Sequence, residues 1–264
     1  MSTSRRERLQ ASARYTDTAA ITVRVAHARH IFLIFCLIAL RVPAVQSQPQ
    51  VAQAPDIDAA LEFLDDNNID EYWHFTMELL EEGEERIIRS DPLREKYARR
   101  QLVEIGGEPP SEKARQQFRK AEKKRIDEQD PETSGYSYLV DLESLELVTQ
   151  RGEVLEFSFR PRLAAFEKAE GKMTGVLLFN GASNTIEKIE IRNTAELAPA
   201  FSVTVNEYRL SFLFGAPEDR RLLRKMESYA VGKAGFVKGF ESFVQVDFSE
   251  YQRVADDPVK QVLP

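Results

Sequence analysis

The sequence predicts an α+β protein: one large, curved antiparallel β-sheet, an unclosed half-barrel, with a covering helix and one surface helix. Three observations predict it. After residue 135 strand-like alternation follows strand-like alternation with no helical segment between, which argues against a doubly wound parallel sheet. Asn180-Gly181 stands between two alternating apolar runs, a strong hairpin signal. Ahead of the strands, Ile57, Ala60, Leu61 and Leu64 recur at helical spacing and supply an apolar stripe able to cover a sheet face.

Taken in order, Pro55-Asp56 opens the covering helix over 56–66, and Asp56 and Asp58 suit its positive N-terminal end. The helix is expected to stop near Asn67-Asn68. Trp73, Phe75, Met77 and Leu79 then alternate on one face of a strand, and 86–89 returns as its hairpin partner after the polar break at 81–84. Asp91-Pro92 closes that hairpin. A short strand over 101–105 ends at Gly106-Gly107. Ser111 is a good N-cap for a polar helix over 112–128, whose thin apolar stripe (Ala114, Phe118, Ala121) puts it on the surface. A loop follows over 131–135.

Two further hairpins are expected, 145–150 with 154–160 and 173–179 with 186–192. Phe201, Val203 and Val205 continue in strand spacing, whereas Tyr208, Leu210, Phe212 and Phe214 follow the opposite phase. That phase change predicts a bulge or bend near Asn206. Two last strands flank 232–235, the second carrying Val244, Val246 and Phe248.

The N-terminus reads differently. Residues 1–30 carry six arginines against Glu7 and Asp17, and Ile31 to Leu40 is a ten-residue run without a polar side chain. Small residues follow, with cleavage expected near Ala44 or Ser47. A basic region, a short apolar core and a small-residue exit make residues 1–47 a secretory signal peptide and 48–264 a single domain. A membrane anchor needs roughly 20 apolar residues, twice the length present before Arg41 and Pro43. Cys36 lies inside the apolar run after Phe35, not after small residues, so a lipid anchor is not expected. The domain is therefore expected in the periplasm, peripheral to the membrane at most.

Without residues 1–47 the chain holds 29 basic and 41 acidic residues, a net charge of −12. A field of that sign does not favour nucleic acid. Cys36, the only cysteine, leaves with the signal, and the domain then rests on core packing alone.

Little in the chain marks an enzyme. Beyond the leader there is one histidine, His74, between Trp73 and Phe75, and it reads as a sheet-surface residue. No nucleophile elbow, phosphate loop, dinucleotide fingerprint or zinc-protease motif occurs, and no cofactor or metal is expected. Asp65-Asp66, the acidic run 81–85 and Asp256-Asp257 lack the alternating-oxygen pattern of a calcium loop and read as solvated turns.

Two features point to binding. Between Leu93 and Arg125 stand 11 basic and 5 acidic residues, a net of +6 in an acidic protein. Within that stretch Arg115, Arg119, Lys120, Lys123 and Lys124 form a candidate docking patch for an acidic envelope partner or anionic head groups, alongside the plainer reading of a solvated helix face. The second feature is apolar: Phe157, Phe159, Leu177, Phe179, Phe201 and Val203 are candidates to line a ligand pocket on the sheet, if its concave face stays open.

The stretches SDPLREKYARRQLVEIGGEPPSEKARQQF, VLEFSFRPR, MTGVLLFNGASNTIEKIEIRN and APAFSVTV resemble a family of uncharacterised exported proteins of Gram-negative bacteria, over residues 70–250. The strand order of that family is in turn similar to the periplasmic lipoprotein carriers and sorting factors. This resemblance implies an unclosed barrel whose apolar cavity receives acyl chains. Two expectations stand side by side: a non-catalytic carrier of a lipid or lipoprotein acyl chain, and an interaction module that docks a protein through segment 93–125 without a small ligand.

Overall fold

The structure is a computed structural model, and it describes residues 56–66, 69–128, 135–163, 171–219, 221–235 and 238–254. The signal peptide over 1–47, its cleavage site and the helix stop at Asn67-Asn68 lie outside the described residues.

Helix α1 (Ile57–Asp66) forms where the apolar spacing places it, with Ile57, Ala60, Leu61 and Leu64 buried on one side. A single turn, α2 (Ile69–Tyr72), leads directly into β1 (Trp73–Glu81), which turns back into β2 (Glu84–Ser90). Glu82 and Gly83 make the turn at φ +51° and +81°. Positive φ at both central residues matches the right-handed twist of the two strands. A 3-10 turn (Lys96–Ala98) precedes β3 (Arg100–Ile105), and the polar helix α3 (Glu112–Asp127) follows with Ser111 Oγ accepting from Ala114 N at 3.2 Å.

After the short helix α4 (Tyr136–Leu139) the chain is all strand: β4 (Val140–Arg151), β5 (Val154–Pro161), β6 (Met173–Asn180), β7 (Thr185–Asn193), β8 (Leu197–Ala200), β9 (Val203–Phe214), β10 (Leu223–Ala234) and β11 (Lys238–Arg253). All pairings are antiparallel, in the order β3-β2-β1-β11-β10-β9-β7-β6-β5-β4, with β8 beside β9. The sheet does not close, and β3 and β4 are its edges.

Two turns refine the sequence reading. The β6–β7 hairpin exists, but Asn180 and Gly181 are not its two-residue turn. Asn180 ends β6 opposite Thr185, and its Oδ1 accepts from Ala182 N and Ser183 N, both at 3.1 Å. The left-handed position is taken by Asn184 (φ +51°). Near Asn206 the ladder steps from Val231↔Glu207 to Gly232↔Val205, so Asn206 is the bulged residue that the phase change predicts. Asn193 clamps the bulge: its Nδ2 donates to Asn206 O at 2.9 Å and its Oδ1 accepts from Tyr208 N at 2.7 Å.

Register gathers the apolar side chains on one face. Phe157 pairs Leu177, which pairs Ile189, then Phe212, Met226, Val246 and Leu79, one line across seven strands. All but Leu79 are buried. Helix α1 lies over β7 and against α4, where Tyr136 meets Phe212 and Phe214 edge-on at centroid distances of 5.4 and 5.3 Å.

Candidate functional site

The apolar face is built by strand alternation, because period-2 spacing sends every second side chain to the same side. On β5 it presents Phe157 and Phe159, on β6 Leu177 and Phe179, on β7 Ile189 and Ile191, and on β9 Leu210 and Phe212. Four of the six expected lining residues therefore stand together. Phe157 opposes Leu177, Leu155 opposes Phe179, and Phe159 opposes Gly175. All four are buried, with Leu177 and Phe179 fully so.

Phe201 and Val203 do not join them. Phe201 occupies the turn between β8 and β9 and is 94% exposed, while Val203 opens β9 half-buried between Ala200 and Ala234. The chain reverses at Phe201-Ser202, which alternation counted straight through the turn could not register. Ile189, Ile191 and Phe212 belong in the group instead, and their place in it follows from register rather than from any motif.

The cover over this face is pinned by polar contacts. Asp65, expected in a solvated turn, is buried and accepts from Tyr136 N at 2.6 Å, from Ser137 N at 3.0 Å and from Ser137 Oγ. The last turn of α1 thus caps the start of α4. Burial raises the Asp65 carboxyl above its ordinary range, and the hydrogen bonds from Ser137 and Tyr136 only partly offset it. Two residues earlier on α1, the Phe63 ring stacks under the Arg221 guanidinium at 4.0 Å.

The basic stretch separates into two populations. Arg100 is buried and grips Asp70 with two hydrogen bonds, Nε to Oδ1 at 3.0 Å and Nη2 to Oδ2 at 2.9 Å. Burial acts to lower the Arg100 pKa, but the charges of Asp70 and Glu122 outweigh it and hold the guanidinium charged. Arg125 is buried against Glu122, one turn back on α3, at 2.8 Å. Arg100 fastens β3 to α2, and the Arg125–Glu122 pair is internal to α3; both arginines are buried, so the +6 stretch is not one surface. The five expected docking residues, Arg115, Arg119, Lys120, Lys123 and Lys124, are all exposed on α3. Arg119 meets Glu112 at 3.0 Å, Lys123 meets Asp127 at 2.6 Å and Lys124 approaches Glu128 at 3.7 Å.

His74 Nδ1 lies 3.5 Å from Asp91 Oδ1. That carboxylate is already engaged by Leu93 N at 3.1 Å and Arg94 Nε at 3.0 Å, which makes it a turn clamp. On the outer face of the sheet Lys188, Glu190, Arg209, Ser211, Tyr229 and Phe243 border a shallow groove of about 170 Å³. Among the described residues no cluster of three or more His, Cys, Asp or Glu side chains has the geometry to hold a metal ion, and no helix is long and apolar enough to cross a membrane.

No family model, no curated protein and no solved structure matches the chain.

Proposed function

We propose that the protein is an exported, non-catalytic carrier or sensor of an apolar ligand, a lipid or a lipoprotein acyl chain, held between the sheet and α1. The observation that carries this reading is the disproportion between the apolar face and its helical cover. Among the described residues the apolar line crosses seven strands, about 29 Å at about 4.8 Å spacing, whereas the helices against it, α1 and the single-turn α4, are about 15 Å and about 6 Å long. Phe157, Phe159, Leu177 and Phe179, with Ile189 and Phe212, are the side chains assigned to the ligand. They are buried, so loading with an acyl chain requires the cover to give way, α1 over β7 included. Its attachments at Asp65 and Phe63 are the contacts that loading would strain.

The test is native mass spectrometry with lipid extraction on the protein isolated from an envelope fraction, followed by titration with a fluorescent fatty acid. A lipid bound near one per chain, displaced by the probe, is the expected result. A bare mass together with no uptake of the probe would sink the carrier reading. The intact mass in the same experiment reads whether residues 1–47 have been removed.

A further inference from the structure

The corner where α2, the β2–β3 connection and the last turns of α3 meet combines three properties found together nowhere else among the described residues. It exposes large apolar groups: Leu93 is 65% exposed, Tyr72 46% and Tyr97 44%. It places cations around the Tyr97 ring. Lys123 Nζ lies 4.5 Å from the centre of the Tyr97 ring and Lys96 Nζ lies 5.9 Å from it. Finally, it borders a row of lysines, because Lys113, Lys120 and Lys124 fall at i, i+7 and i+11 of α3. That row runs beside the one holding Lys123 and Asp127, and Asp127 accepts from Tyr97 Oη at 2.9 Å.

The acids at this corner are largely committed. Asp91 holds Arg94 and Leu93 N, Glu71 lies 3.7 Å from Arg99, and Asp127 is shared by Lys123 and Tyr97. Glu112 and Glu128 are occupied by Arg119 and Lys124. Glu95 is the exception within the loop. Lys96, Lys113, Arg115 and Lys120 are exposed and have no ion pair among the described residues. The helix thus keeps an excess of cations after its own pairs are made, in a chain whose net charge is −7.

We infer that this corner docks the protein on an anionic bilayer surface. Lysines alone would suit an acidic protein equally well. Leu93 and the two tyrosines favour a membrane, where tyrosine rings lie at head-group level, an apolar side chain reaches below them, and lysine stems extend back to the phosphates. The segregation of charge also orients the chain, because the acidic remainder is repelled from the same surface. This corner is a different surface from the apolar sheet face, and its docking does not require that face to take a ligand.

The experiment is co-sedimentation of the full chain, as isolated from cells, with phosphatidylcholine vesicles with and without phosphatidylglycerol. Variants of one chain are compared, which removes any contribution of the N-terminal apolar run. The wild type is expected to bind the anionic vesicles and to lose binding as salt is raised. Neutralising Lys96, Lys113 and Lys120 to Gln is expected to weaken binding on the order of a hundredfold, at roughly fivefold per charge. Leu93→Asn, at an exposed position that leaves folding intact, is expected to weaken it several-fold at unchanged charge. Equal binding to both vesicle types, no binding, or no response to the triple substitution overturns the inference. Tighter binding to poly-glutamate than to the vesicles, insensitive to Leu93→Asn, overturns it in favour of an acidic protein partner.

Discussion

A Cβ on Gly175 would overlap the ring edge of Phe159, its partner across the β5–β6 ladder. The missing side chain is what lets the ring lie flat on β6 and keeps Phe159 only 4% exposed. Gly175→Ala is expected to destabilise the protein by about 1–3 kcal/mol through overpacking, read by urea denaturation. Adding Phe159→Leu should recover part of the loss, since the two positions share one space. Additive losses would mean that the ring is not what excludes the methyl. Alternation marks Phe159 as inward-facing in the sequence, but nothing there says that a glycine on the next strand lies beneath it. The same limit explains Asp65, Asp70 and Arg100. Their burial depends on partners 71, 72 and 30 residues away, which local polarity does not announce.

At the scale of elements, the legible ones are those with enough residues to show a period. Helix α1 has four apolar positions over ten residues, and α3 has a cap and a long run of helix formers. The four-residue α2 and α4 show no period at all and exist because of what they touch. For α4 the contact is Asp65, whose carboxylate takes two of the backbone N–H groups at the helix start. Asp65→Ala should cost about 2–3 kcal/mol in urea denaturation, because those buried donors lose their acceptor. Asp65→Asn should cost less, as its one oxygen still serves Tyr136 N. Gly135 belongs to the same joint: a Cβ there would meet the Asp65 carboxylate at 2.7 Å. If the alanine variant were as stable as the wild type, α1 would not be held through α4, and its release for ligand entry would need another explanation.

For the whole molecule, hairpins were readable and the closing pair was not. Strands β4 to β7 pair in chain order, each with its neighbour, the usual arrangement of consecutive strands. The pairing of β1 with β11 joins Trp73 to Arg253 across almost the full described chain, and no turn residue signals it. This pair places the last strand in the interior of the sheet, between β1 and β10, and leaves β3 and β4 outside. The two edges differ. Strand β3 is backed by α3, whereas β4 is irregular in its pairing with β5 at two places and leaves Leu147 and Val148 54% and 58% exposed. Irregular pairing of that kind turns the ladder away from continuous edge-to-edge growth. Amide hydrogen exchange tests this arrangement as a hierarchy. Amides of β9, β10 and β11, bonded on both sides, are expected to exchange only through global unfolding, while those of β4 that face outward exchange first. The informative case is β11, because a C-terminal strand added to an already complete sheet would open early along with β4. Protection of β11 equal to that of β10 would establish that the first and last described strands are stitched together in the core. The apolar face would then open at α1 and the β4 edge, not at the seam between β1 and β11.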